Sequence, residues 1–198
     1  MKRTMIAGMA GLMGIALVIT TSGLARAQGI TLAQLAGNWS TESNSTYALC
    51  FNSTFSALVS CKGAPHVVFY IQTSIGQGIG DASGNSCFTV ISTNSPEFPN
   101  PATPANTNTQ IVVQKITFYN ATTETGNNSF TAYNASSGTF CKGSVLVNTA
   151  KAPPAATGTG SFVVSLKGTR VDGVTDSAVD TPISSLGDDV AHIAAFRQ

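Results

Sequence analysis

The two histidines, His66 and His192, are the side chains that could exchange a proton near neutral pH. His66 follows Pro65 at the start of an extended stretch, and His192 lies close in sequence to the carboxylates of Asp188 and Asp189. A serine nucleophile on a strand-to-helix turn would carry a G-x-S-x-G pattern, and the sequence has none. We therefore interpret both histidines as structural residues. An enzyme that pairs His66 with a carboxylate is the weakest of three functional hypotheses.

Carboxylates cluster near the end of the chain, where they could bind a cation. Asp172, Asp176 and Asp180 are spaced by four residues, whereas the calcium loop of an EF-hand places its first ligands two residues apart. We therefore expect a solvated acidic segment here, with calcium binding by these three side chains as the alternative. No pattern in the sequence predicts a cofactor.

Four cysteines, an even number, are spaced too widely for a redox or zinc motif: Cys50, Cys61, Cys87 and Cys141. In an exported chain this pattern predicts two structural disulfides, and three pairings are open. Cys50 and Cys61 could close a hairpin, which would leave Cys87 to pair with Cys141. The sequence alone does not decide between the pairings.

The start of the chain has the three parts of a secretory signal. Lys2 and Arg3 form a positive start, Met5–Val18 is an uncharged apolar run, and Ala25-Arg26-Ala27 is a small-x-small cleavage pattern. We expect cleavage after residue 27, which leaves Gln28 as the new N-terminus. The sequence thus predicts a signal peptide over residues 1–27 and one secreted β domain over residues 28–198, in the periplasm, on the cell surface or outside a bacterial cell.

Charged residues make up 10% of the chain, against about 25% in an ordinary soluble domain. Without the leader, seven basic and nine acidic residues remain. This balance excludes a basic nucleic-acid platform, and no other apolar run is long enough for a membrane-spanning helix. Polarity comes instead from Ser, Thr and Asn, which is typical of a weakly charged β surface.

Runs rich in Val, Ile, Thr, Phe and Tyr, many with a period of two, predict about eight short strands. They are Thr46–Phe51, Phe55–Cys61, His66–Thr73, Cys87–Thr93, Ile111–Tyr119, Ser129–Asn134, Thr139–Val147 and Ser161–Val171. The absence of helix–strand alternation indicates an all-β fold, either a single antiparallel barrel or a β-sandwich.

The remaining segments predict a short helical turn, two loops and an ambiguous tail. Ile30–Ala36 is expected to form one helical turn capped by Thr31. Gly76–Asn85 is glycine-rich, lacks the third glycine of a phosphate loop, and is expected to be mobile. Asn94–Gln110 holds four prolines and predicts a long surface loop. The tail, Ser184–Gln198, favours a helix, with a last strand as the alternative.

Gly37-Asn38-Trp39, directly after the helical turn, resembles the Gly-x-Trp opening of the lipocalins and the related avidins. The resemblance implies an eight-stranded up-and-down barrel whose floor is closed by Trp39. It also implies a basic residue late in the chain, Arg170 or Arg197, that packs over this tryptophan, and a cup for a small, often apolar, ligand. A plain core aromatic is the alternative interpretation of Trp39, because the motif is short.

The leading hypothesis is a non-enzymatic exported barrel that binds a small hydrophobic or amphipathic ligand. Its candidate ligand contacts are strand aromatics: Tyr47, Phe69, Phe88, Phe118, Tyr133 and Phe140. The alternative is a cell-surface or matrix protein that acts through protein contacts or self-assembly, because neutral Ser/Thr/Asn-rich strands can pair with other chains.

Overall fold

The computed structural model describes residues 29–57, 59, 61–97, 104–178 and 189–198. The predicted signal peptide over residues 1–27 lies outside these ranges, as does Asp180. Within the ranges, no helix is both long enough and apolar enough to cross a lipid bilayer.

Eight strands close into one antiparallel barrel, which confirms the all-β prediction and selects the barrel over the sandwich. Around the barrel the order is β1-β10-β9-β8-β5-β4-β3-β2, and β1 pairs with both β2 and β10. A two-stranded hairpin, β6 and β7, lies outside it. The strands are β1 (Gly37–Phe51), β2 (His66–Gly80), β3 (Asn85–Pro96), β4 (Asn106–Asn120), β5 (Thr125–Asn134), β6 (Thr139–Lys142), β7 (Val145–Asn148), β8 (Ala156–Ser165), β9 (Arg170–Ala178) and β10 (Asp189–Arg197).

A 3₁₀ turn, Leu32–Leu35, precedes the first strand, as predicted. Thr31 is its N-cap, and the Thr31 backbone N–H donates to Oε1 of Gln34 at 2.7 Å. Leu35 is buried and Leu32 packs against the main apolar cluster, so the turn seals one end of the barrel.

The core of the barrel lies at this sealed end, here called the base. It is a cluster of buried residues: Leu35, Trp39, Phe88, Phe162 and Val164. The chain reverses direction at the base through short connections, residues 81–84, 121–124 and 166–169. At the opposite end, here called the rim, the connections are longer: residues 52–65, 97–105, 135–155 and 179–188.

Residues 135–155 leave the rim and run down the outside of the barrel; we call this segment the strap. It contains β6 and β7, which contact β3 and β4. A disulfide between Cys87 and Cys141 and a hydrogen bond of 3.0 Å from Ser144 Oγ to Asp81 Oδ2 are among the links that hold it against the barrel.

The second disulfide joins Cys50 to Cys61 and closes the first rim loop. Both disulfides of the sequence analysis are therefore present, with the hairpin-closing pairing. A disulfide typically stabilises a small domain by about 2–4 kcal/mol, mainly by restricting the unfolded chain.

Two predicted strands, Phe55–Cys61 and Thr139–Val147, differ in the structure. The described residues of Phe55–Cys61 form no strand, and Asn52 Oδ1 accepts hydrogen bonds from the backbone N–H groups of Ser56 and Ala57, at 2.9 and 3.4 Å. Such side-chain bonds compete with a strand ladder for backbone groups. Thr139–Val147 is split into the two strands of the strap hairpin.

The predicted strand Ser161–Val171 is also split, because β8 ends at Ser165 and a 3₁₀ turn at Leu166–Gly168 leads into β9. Two predicted loops are shorter than expected. The run from Gly76 to Gly80 is the end of β2, and strands β3 and β4 extend into Asn94–Gln110 from both sides.

The tail is a strand and not a helix, because the barrel closes through it. β10 pairs with β1 on one side and with β9 on the other. Without this strand both neighbours would present unpaired backbone groups.

Candidate functional site

A cavity of about 320 Å³ occupies the barrel interior between the apolar base and the rim. It extends from Phe88 deep in the barrel to Tyr47, Asn94 and Ala156 near the rim. This volume falls within the range of small-molecule sites in proteins, about 300–1,000 Å³.

The deep part of the cavity is apolar. Phe88, 7% exposed, belongs to the core cluster, and Val90 and Val112 pack against that cluster. Phe130 and Ala132 of β5 also line the cavity. These side chains form a floor on which the apolar part of a molecule could lie without exposing polar groups to hydrocarbon.

The wall nearer the rim is polar and organised around one amide. Asn94 is 3% exposed, and its Oδ1 accepts hydrogen bonds from Tyr47 Oη at 3.1 Å and from Gln72 Nε2 at 2.7 Å. Its Nδ2 donates to Oδ1 of Asn106 at 2.9 Å and of Asn108 at 3.4 Å. The four bonds fix the orientation of the Asn94 amide and position the side chains around it.

Further polar groups face the cavity beside this network. Ser74 and Ser92 share a hydrogen bond of 2.8 Å and are both buried. Thr175, 6% exposed, lines the cavity, and no group of the described chain hydrogen-bonds its hydroxyl. A buried hydroxyl without a protein partner costs free energy unless water or a ligand satisfies it.

Of the six aromatic residues predicted to contact a ligand, two line the cavity: Tyr47 and Phe88. Phe69 and Phe118 lie on the outer face of the barrel and are 50% and 56% exposed. Tyr133 also faces outward, because its strand neighbour Ala132 lines the cavity.

Phe140, the sixth, is in β6 of the strap and 42% exposed. Four of the six candidates therefore lie outside the cavity lining, since the sequence pattern alone did not show which face of each strand is interior.

Gly37 and Trp39, at the start of β1, lie at the base of the barrel. Trp39 is 5% exposed, and its indole Nε1 donates to the Leu35 carbonyl at 2.9 Å. Trp39 pairs with Arg197 across β1 and β10. The Arg197 guanidinium donates to the carbonyls of Gln34 and Ala36, both at 2.8 Å.

Arg170 does not occupy the barrel-closing position. Its guanidinium forms an ion pair of 2.7 Å with Asp172 and lies 5.2 Å from the centre of the Phe196 ring. In the register of β9 and β10, Arg170 pairs with Phe196, one position away from Arg197. This alternation places Arg197 on the inner side and Arg170 on the outer side.

The two histidines lie in different environments. His66 stacks on Phe55 of the first rim loop, with ring centres 4.0 Å apart. His192 is exposed on the outer face of β10, between Asn44 and Val174 of the neighbouring strands. Neither side chain lines the barrel cavity.

Of the three candidate calcium ligands, only the side chain of Asp172 lies in the described part of the structure. Asp172 is bound to Arg170, and this hydrogen bond lowers the pKa of the Asp172 carboxyl. Asp176 lies in β9. The described residues contain no group of three His, Cys, Asp or Glu side chains placed to hold a metal ion.

A wider depression of about 600 Å³ lies on the outside of the barrel, over β1, β8, β9 and β10. Glu42, Asp172 and His192 line it together with Val163 and Val174. It is open to solvent and its Asp172 is already paired, so the enclosed interior cavity is the stronger candidate site.

The residues that the sequence analysis missed are the polar ones inside the barrel, above all Gln72, Asn94 and Thr175. A signal for Gln72 exists in β2, where one face carries Gln72, Ser74, Gly76 and Gly78 and the opposite face carries Ile71, Ile75 and Ile79. The usual assumption that the apolar face of a strand is interior would place the isoleucine face of β2 inside the barrel, whereas the structure places it outside.

In comparisons with known proteins, no family model matches the chain and no curated protein is significantly similar to it. The eight-stranded closed antiparallel barrel is compatible with a calycin-like fold.

Proposed function

We propose that this chain is an exported, non-enzymatic protein that binds a small amphipathic molecule inside its barrel. The observation that carries this proposal is the interior cavity, which has an apolar floor and a polar wall and reaches the end of the barrel with the long loops. An enclosed apolar space with a few placed polar groups is the usual form of a small-molecule site.

The floor and the wall would contact different parts of the ligand. Phe88, Val90 and Val112 would bury its apolar part, and burial is worth about 25 cal/mol per Å² of apolar surface. The bonded side chains of Gln72 and Asn94 are already held in position, so less conformational entropy would be lost on binding.

Fluorescence titration with N-phenyl-1-naphthylamine, a neutral dye that brightens in apolar sites, tests the proposal. Ala191 lines the cavity, and the adjacent His192 is exposed on the outer face. We expect saturable 1:1 binding to the wild type and to His192→Trp, and loss of binding in Ala191→Trp, whose indole would fill the cavity. Absence of binding to the folded wild type, or equal binding by the two variants, would contradict the proposal.

Export is supported by the charged, apolar and small-x-small order of the leader and by the two disulfides, which persist in oxidising compartments. We expect the protein collected outside the cytoplasm of a bacterial host to begin at Gln28. Intact-mass measurement of that material tests this, since retention of residues 1–27 would contradict cleavage.

Self-assembly is a second candidate function, favoured by a row of exposed side chains on the outer face of β2 and β3. This outer apolar stripe consists of residues that are each 41–65% exposed: Val67, Phe69, Ile71, Ile75, Ile79 and Ile91. Exposed apolar side chains grouped on one face often mark contact sites.

Sedimentation at rising concentration tests this second function. We expect Ile71→Lys to shift the protein toward monomer and Thr159→Lys, on the exposed outer face of β8 away from the stripe, to leave association unchanged. A wild type that stays monomeric at all concentrations would exclude self-assembly.

A further inference from the structure

We propose that the cavity selects a ligand whose head group is uncharged and carries several hydrogen-bonding groups, and that it discriminates against carboxylates and ammonium ions. This inference rests on the ligand binding proposed above and names the class of molecule.

The absence of charge along the described cavity lining is the first support. The polar residues that line it are Thr, Ser, Tyr, Gln and Asn, without an Asp, Glu, Lys, Arg or His among them. Glu42 of β1 and Lys115 of β4, two charged side chains on lining strands, are exposed on the outer face. A charged head group would therefore lose water without gaining an opposite charge, which is the costly case of burial.

The second support is the number of unused hydrogen-bonding groups. Asn106 and Asn108 both accept from Asn94 through Oδ1, and no described group accepts from their Nδ2 atoms. The amide of Gln110 and the buried hydroxyl of Thr175 line the same space and have no partner in the described chain. Amides and hydroxyls offer both donors and acceptors, which matches hydroxyl or amide groups on a ligand.

The arrangement along the barrel also orients the ligand. Phe88 and Asn94 lie six residues apart on β3, roughly 20 Å at the rise of a strand. The apolar part would lie toward Phe88 at the base, and the head group would lie beside Asn94, Asn106 and Asn108 near the rim. Esters or ethers of polyhydroxy compounds with a short hydrocarbon chain have this chemistry.

Calorimetric titration with three amphiphiles of equal chain length tests the inference: monodecanoylglycerol, decanoate and decyltrimethylammonium, each below its micelle concentration. We expect the neutral glyceride to bind, and the anion and the cation to bind at least about tenfold more weakly, because neither finds a counter-charge.

A matched pair of variants on β4 tests the physical cause. Gln110 lines the cavity, and the adjacent Thr109 is exposed on the outer face. Gln110→Arg supplies the missing positive charge inside the barrel, so we expect it to gain decanoate binding by about tenfold or more relative to the wild type. Thr109→Arg places the same charge outside, so we expect no such gain.

The outcomes separate this inference from the proposed function. If the naphthylamine dye binds and the three amphiphiles bind equally, or the glyceride does not bind, the head-group inference is wrong and cavity binding stands. If neither the dye nor any amphiphile binds to the folded protein, both are wrong. If Gln110→Arg folds and gains nothing over Thr109→Arg, charge is not the cause of selection.

Discussion

Arg170 and Arg197 have different roles because the strand register places them at adjacent positions on opposite sides of the barrel wall. Arg197 faces the base and binds the carbonyls of Gln34 and Ala36, which tie the 3₁₀ turn to the last strand. Arg170 faces outward, where its ion pair with Asp172 is solvated. An exposed ion pair contributes little to stability, whereas a guanidinium that satisfies two helix-end carbonyls links distant parts of the chain.

We therefore expect Arg197→Leu to lower the free energy of unfolding by about 1 kcal/mol, through the loss of two hydrogen bonds. Arg170→Leu should have a smaller effect. Urea denaturation followed by the fluorescence of Trp39, which lies beside Arg197, measures both changes. An equal or larger effect of Arg170→Leu would mean that the outer ion pair, and not the inner contact, stabilises this end of the barrel.

Asp81 makes the stability of the folded protein depend on pH. Its carboxylate accepts hydrogen bonds from the side chain and backbone N–H of Asn85, from Ser144 of the strap and from Ser83, and these bonds lower its pKa below the ordinary value of 3.8. Because the pKa is lower in the folded state, the stabilisation is complete above the unfolded pKa and is lost as pH falls through the folded pKa.

Asp81→Asn should thus be less stable than the wild type at pH 7 and should lose less stability on acidification. Urea midpoints of the two proteins should converge between about pH 5 and pH 2. A constant gap over that range would show that Asp81 acts through hydrogen-bond geometry alone, without its charge.

At the scale of strands, β2 explains why the polar cavity could not be predicted. The sequence correctly indicated an extended, β-branched segment at His66–Thr73, and the structure confirms a strand there. Periodicity shows that two faces differ, but it does not say which of them lies inside. In β2 the glycine and polar face is interior, because glycine leaves room for the ring of Phe88: a Cβ on Gly78 would lie 2.5 Å from Phe88 Cδ1.

Local signals also gave the wrong element where a distant contact decided the outcome. The tail carries residues that favour a helix end. Capping signals involve only the residues of one helical turn, so they contain no information about distant strand partners. The strand structure of the tail depends on partners more than 140 residues away, such as Ser40 opposite Phe196. The number of disulfides and the 3₁₀ turn were predictable from residue type and local spacing, whereas the pairing of Cys87 with Cys141, 54 residues apart, stayed open until the fold brought them together.

Gly126 of β5 tests the close packing of strands against interior rings. A Cβ at this position would collide with the ring of Phe162 and lie 2.7 Å from the Phe118 carbonyl oxygen. Overpacking of this kind costs about 1–3 kcal/mol, so Gly126→Ala should destabilise the protein by that amount.

Gly80→Ala is the matched control, because the nearest atom to its added Cβ is 3.6 Å away. Thermal unfolding of both variants measures the difference. Equal melting temperatures would show that the Phe162 ring can move aside, and the interior would then be less rigid than its packing indicates.

The whole molecule is a compromise between a filled base and an open upper half. One end is sealed by Leu35, Trp39, Phe162 and the 3₁₀ turn, and the other holds a polar cavity under long loops. The filled end supplies the apolar burial that stabilises the barrel, while the unfilled end leaves hydrogen-bonding groups such as the Thr175 hydroxyl for another molecule. A barrel filled along its whole length would have no space for a ligand, so this division supports a binding role.

Closure is the property that makes the barrel a container, and β10 completes it. Eight residues of this strand pair with β1 and eight with β9.

A chain that ends at residue 188 would expose both neighbours as unpaired edges and open the cavity, so we expect it to lose cooperative unfolding and to aggregate. Removal of Gln198 alone, which donates one hydrogen bond of 3.0 Å to the Asn38 carbonyl, should leave the urea transition nearly unchanged. Near-ultraviolet circular dichroism of Trp39 and sedimentation distinguish the two truncations. If the shorter chain were monomeric and unfolded with the midpoint of the full chain, seven strands would suffice, and the argument from closure to a bounded ligand cavity would fail.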